Sequence, residues 1–329
     1  MKRLKKIIIA LIFIILVSSN CILSVSAEEE YLYIGGIPAG FTIKPQGATI
    51  IGLSDVIVDG EVYSPSKNAD IKVGDIIMSI NKKEINGAQS ISDALKDNKG
   101  EPVEIEIERF GEKIIKFVTP RVDNNGQYKL GIMVREDLSG IGTITYFKPN
   151  GEFASLGHPV LNEIGEPLKI SEGEAFLCSI IGINKGEKGK AGDLRGVIME
   201  SDKIGSITKN TQSGLYGKAG EYFDYKKYEK TVRAEAVMGK ASILTCIDGV
   251  TPREYQISIV KIDKNDRENK NLVIKIVDNE LLSVTNGILQ GMSGSPIIQG
   301  GKIVGAVTHV FINDPSRGFG ILIEKMLEN

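Results

Sequence analysis

Gly291-Met292-Ser293-Gly294-Ser295-Pro296 lies between two apolar runs, residues 286–290 and 297–299, near the end of the chain. A serine hydroxyl that attacks a carbonyl needs room for the substrate and backbone N–H groups free to meet the oxyanion that forms. Glycines on both sides supply both. Pro296 and the Ile/Val-rich segment after it predict a tight turn running into a hairpin. The same letters also describe an ordinary Gly/Ser turn, so the rest of the chain has to decide.

At 329 residues the sequence is long enough for two domains at roughly 150 residues each. Its net charge is −2, with no basic surplus to argue for nucleic acid as a partner. Thirty-seven glycines, no tryptophan and abundant Ile and Val point to many short strands and turns, a mainly β protein. Residues 1–27 read as an export signal. Lys2, Arg3, Lys5 and Lys6 precede an apolar run at 7–17, and Val25-Ser26-Ala27 offers small side chains before Glu28. The apolar run is shorter than the about 20 residues a spanning helix needs, so a cleaved signal is expected ahead of a retained anchor. Cys21 would leave with it. Cys178 and Cys246 are not a disulfide framework and read as small buried side chains. With only His158 and His309 in the chain, no transition-metal constellation and no cofactor are expected.

Residues 31–120 read as one small unit. The segment Ala69-Asp70-Ile71-Lys72-Val73-Gly74-Asp75-Ile76-Ile77 precedes an alternating strand ending at Ile80-Asn81. Residues 90–96 carry Ile91, Ala94 and Leu95 at helical spacing, with Ser90 as N-cap. Residues 103–109 and 113–118 then alternate as a hairpin around Gly111. This order is similar to a bacterial PDZ domain. That resemblance implies a sheet edge able to accept an extended peptide or C-terminus, with the carboxylate loop falling on Pro38-Ala39-Gly40-Phe41 leading into Thr42-Ile43. Residues 121–127 form a hydrophilic linker with Asn124-Asn125-Gly126 as turn chemistry, and 128–329 would be the second domain.

In that domain a strand at 153–156 leads into Gly157-His158-Pro159, a rigid corner from which an imidazole can meet another element. Ser293 would attack, His158 would take its proton, and the N–H groups of Gly291 and Ser293 would stabilise the oxyanion. Ser295 is the rival nucleophile and His309 the rival base. The orienting acid stays open on residue logic, with Asp193, Asp202 and Asp248 as candidates.

Residues 291–319, Leu156-Gly157-His158 and the PDZ-like unit together resemble the stage IV sporulation protein B family, the sporulation serine peptidases of peptidase family S55. The resemblance implies a trypsin-like β-barrel peptidase domain after the PDZ-like domain and a triad of His158, Asp278 and Ser293. It also implies an exported or membrane-tethered endopeptidase acting between the two membranes around the forespore. Its substrate would be a membrane-bound regulator of an intramembrane metalloprotease complex that matures a late sigma factor, and it would also cleave itself. Two other functions remain open: a non-catalytic adaptor built on the PDZ-like unit, and a general envelope quality-control protease.

Overall fold

The structure is a computed structural model and describes residues 31–135, 137–162 and 165–328. The expected export signal lies outside the described residues. Among the described residues no helix is long and apolar enough to cross a membrane.

Two strand systems form the larger part of the molecule. In the first, Glu152–Ser155, Gly214–Ala219, Gly192–Thr211, Ile170–Asn184, Pro38–Pro45 and Leu138–Phe147 pair in that order. Leu138–Phe147 also pairs back onto Glu152–Ser155, which closes a ring of six. The second is a closed barrel of Gly239–Thr245, Arg253–Ile262, Leu272–Ile276, Arg317–Leu322, Lys302–Val310 and Pro296–Gln299. The alternation explains why these segments are strands. Tyr255, Ile257 and Ile259 are buried while Gln256 and Val260 face out, and Ile274 and Ile276 flank exposed Lys275. Each such isoleucine, fully buried, contributes about 1.5–3 kcal/mol. The two barrels share one apolar cluster, in which Cys178, Ile180 and Leu194 of the first pack with Cys246, Ile257 and Met292 of the second. Both cysteines are buried and free.

The third system is the PDZ sheet, ordered Ile132–Arg135, Ala48–Leu53, Ile76–Ile80, Val103–Arg109 and Glu112–Val118. The Gly74-Asp75 pair explains its most diagnostic segment. Gly74 has φ +92°, and the buried Asp75 carboxylate accepts from Lys72 N–H at 2.8 Å and from Arg109 Nε and Nη2 at 2.6 and 2.7 Å. A two-pronged guanidinium contact of this kind compensates a carboxylate that is only 1% exposed. The helix starts earlier than expected, at Ala88–Leu95, with Gly87 as its cap residue. Ser90 sits inside the first turn, where its hydroxyl accepts from Asn86 N–H and donates to the Gly87 carbonyl.

The domain plan differs from the linear one. Pro38–Pro45, expected inside the PDZ-like unit, is an inner strand of the first barrel. Residues 130–134, expected to open the second domain, belong largely to the PDZ sheet through Ile132–Arg135. The expected linker is a small hairpin, Arg121–Val122 against Tyr128–Lys129. The PDZ sheet is therefore inserted between two neighbouring strands of the peptidase barrel, because Pro38–Pro45 finds its partners only after the chain has returned at Leu138.

Candidate active site

The turn 291–296 sits where the two barrels meet. Gly291 and Gly294 have φ of +97° and +93°, a conformation that penalises any side chain. At Gly294 a Cβ would also lie 2.1 Å from the Thr143 carbonyl oxygen and 2.5 Å from Leu156 N. Strand Leu138–Phe147 of the first barrel clamps the turn. Thr143 N–H donates to the Ser293 carbonyl at 2.9 Å, Thr143 Oγ1 to the Gly291 carbonyl at 3.0 Å, and Thr145 Oγ1 to the Gly294 carbonyl at 2.8 Å. The N–H groups of Met292, Gly294 and Ser295 are bonded to Leu289, Val307 and Met292 carbonyls. Ser293 N–H takes no hydrogen bond among the described residues, leaving it free for an oxyanion.

His158 reaches this turn from the first barrel. After Glu152–Ser155 the backbone turns through Leu156 (φ +66°) and Gly157 (φ +72°), and Gly157 is pressed against Thr308 and Ile321 of the second barrel. His158 and Ser293 line one cavity of about 490 Å³, together with His309, Phe41, Leu138 and Leu289. The two imidazole centres are 4.7 Å apart. His158 Nδ1 is 3.0 Å from the Pro159 carbonyl oxygen, so that nitrogen carries the proton and Nε2 keeps its lone pair. Burial holds the His158 pKa below the usual imidazole value, against the opposing effect of the Pro159 contact. His309 is held down to about 4, first by the desolvation of its ring on the cavity wall and then by the neighbouring His158. His309 is nonetheless an exposed residue, and solvent there weakens that depression.

Ser293 Oγ donates to the Thr308 carbonyl at 2.6 Å and not to an imidazole. Catalytic contacts commonly tighten only when substrate is bound. Ser295 is fully buried, and its hydroxyl donates to Thr245 Oγ1 at 2.9 Å.

The expected acid, Asp278, has its hydrogen bonds elsewhere in this structure. Asp278 forms no hydrogen bond or ion pair with either histidine. It is the N-cap of helix Asn279–Thr285, accepting from Leu281 N–H at 2.9 Å and Gln256 N–H at 3.2 Å. Both carboxylate oxygens are thereby engaged, and the group found at His158 Nδ1 is a backbone carbonyl. The competing acids do not take its place. Asp193 accepts from Asn184 and Asp202 from Ser201, and among the described residues none of the three is hydrogen-bonded or ion-paired to His158.

One expected site assignment is corrected: Gly40, Phe41, Thr42 and Ile43 cannot form a peptide-binding edge. They pair on one side with residues 138–141 and on the other with residues 173–176. Phe41 and Ile43 instead line the active-site cavity. The edge strands of the PDZ sheet are Ile132–Arg135 and Glu112–Val118, and the first has the helix Ala88–Leu95 beside it. Between that strand and the helix lies a cavity of about 340 Å³ lined by Ile91, Leu95, Leu130, Ile132 and Val134. The signal for it, Leu130-Gly131-Ile132-Met133-Val134, stands in the sequence but reads equally as a first barrel strand.

A family model described as SpoIVB peptidase S55 matches residues 126–327, more than half of the chain. The chain belongs to this family. A PDZ domain model matches residues 56–109, inside the inserted sheet. For the S55 peptidase, a search of curated proteins found no match.

Proposed function

We propose that this S55 peptidase is an exported serine endopeptidase in which Ser293 attacks the scissile carbonyl and His158 Nε2 receives its proton. The observation that carries this reading is the meeting, in one cavity, of a serine with a free backbone N–H and an imidazole whose Nδ1 is fixed by the Pro159 carbonyl. That contact sets the tautomer a general base needs, the task a carboxylate performs in the Ser-His-Asp arrangement. The oxyanion would lie on Ser293 N–H, with Gly291 N–H as its partner. Apolar lining from Phe41, Leu138 and Leu289 suits an apolar substrate side chain next to the cleaved bond.

The groove beside Ile132–Arg135 would add an extended peptide as a further strand and recruit a protein substrate. In this reading the substrate is a membrane-associated regulator in endospore formation, cleaved between the forespore membranes to activate a late sigma factor, and the chain also cleaves itself. One observation favours a non-catalytic adaptor instead: the Ser293 hydroxyl rests on the Thr308 carbonyl. A fluorophosphonate probe decides between them. The peptidase reading expects covalent labelling that disappears in Ser293→Ala, and absence of labelling in the folded wild-type chain would reject it.

A further inference from the structure

His158 and His309 are the chain's only histidines. They arrive from different barrels, one from the corner after Glu152–Ser155 and the other from strand Lys302–Val310. Their ring centres are 4.7 Å apart and their planes are inclined at 38°. His158 Nδ1 is engaged by the Pro159 carbonyl, and Nε2 has no hydrogen-bond partner among the described residues. Neither ring nitrogen of His309 forms a hydrogen bond among the described residues. Three imidazole nitrogens therefore stand unused on one cavity wall, beside the Ser293 hydroxyl.

Two imidazoles on a tetrahedral ion, each at about 2.0–2.1 Å, place their donor nitrogens about 3.3 Å apart. With each ring centre about 1 Å behind its donor nitrogen, two imidazoles sharing one tetrahedral ion have centres about 5 Å apart, close to the 4.7 Å between these two. The Pro159 carbonyl supplies a second feature of metal-binding histidines, an acceptor on the nitrogen remote from the ion that fixes tautomer and orientation. We propose that His158 and His309 form a binding site for a divalent transition-metal ion that reversibly inhibits the peptidase. Imidazole donors select Zn²⁺, Ni²⁺ or Cu²⁺ over Mg²⁺ and Ca²⁺. Water or Ser293 Oγ completes the coordination. An ion on His158 Nε2 occupies the lone pair that accepts the serine proton, so metal occupancy and proton transfer exclude each other. The inhibitory consequence rests on the assignment of His158 as base; the binding site does not.

Because the chain has two histidines, imidazole nitrogen NMR of the untagged, metal-free full chain follows each ring without any substitution. One equivalent of Zn²⁺ should shift both ring signals, EDTA should reverse the shifts, and Mg²⁺ should leave them unchanged. His309→Gln should weaken Zn²⁺ binding at least tenfold, read by competition with a chelating dye. Zn²⁺ binding with only one ring shifted, or with neither, overturns the site. Fluorophosphonate labelling at Ser293 is run in parallel. Loss of labelling on Zn²⁺ addition with recovery in EDTA supports inhibition, and labelling that continues while both rings are occupied refutes it. Failure to label the metal-free chain rejects the peptidase reading alone, since the ring signals still report the metal.

Discussion

Ser293 and Ser295 stand two positions apart and have opposite environments. Ser293 faces the cavity, whereas Ser295 is enclosed and bonded to Thr245 of the neighbouring strand. Ser295→Ala should therefore cost about 0.5–1.5 kcal/mol in urea unfolding, the net value of one buried hydrogen bond, and should leave probe labelling at Ser293 intact. Asp278 offers a sharper test. As an N-cap its replacement by alanine should cost about 0.5–2 kcal/mol, while asparagine caps nearly as well. Asp278→Asn is thus expected to keep both the unfolding midpoint and most of the peptidase activity. A fall in kcat of the order of 10⁴ in that variant would instead identify a group that orients the base.

At the scale of elements, the nucleophile turn is held from outside itself. Its carbonyls receive three hydrogen bonds from Thr143 and Thr145 of the other barrel, and Gly294 lies against the Thr143 carbonyl with no room for a Cβ. Gly294→Ala adds a left-handed backbone penalty of about 1–2 kcal/mol to that clash. The variant should lose probe labelling before it loses barrel structure, with far-UV circular dichroism retained at temperatures where the rate of labelling has collapsed. The corner at Leu156-Gly157 works the same way from the other side, with Gly157 seated against Thr308 and Ile321 immediately before His158.

At the scale of the molecule, the insertion of the PDZ sheet decides what can be cut away. A fragment of residues 126–328 lacks Pro38–Pro45, which leaves Leu138–Phe147 and Ile170–Asn184 with bare facing edges. It should aggregate on size-exclusion chromatography, whereas residues 31–328 should run as a folded species. The reverse excision should succeed. Ile43 pairs with Leu138, so removing residues 46–136 leaves ends from adjacent strands that a short glycine-containing turn can join. That shortened chain should still label at Ser293, and its failure to fold would show that the barrel depends on the PDZ sheet.

Local chemistry made much of this protein legible from sequence alone. The Gly74-Asp75 pair, the alternating strands and the glycines around Ser293 are constraints between near neighbours, and such constraints are written in order along the chain. The expected β-rich class followed from them, and they include the residues on which the resemblance to the PDZ and S55 families rests. Tertiary structure decided everything that depends on partners distant in sequence. Pro38–Pro45 is a barrel strand because residues 138–143 and 170–177 return to both its edges. Asp278 is a cap because a helix begins immediately after it and its remaining oxygen meets Gln256. Two isolated histidines became a pair because the two barrels pack against each other, and no local pattern in the sequence encodes the distance between two barrels.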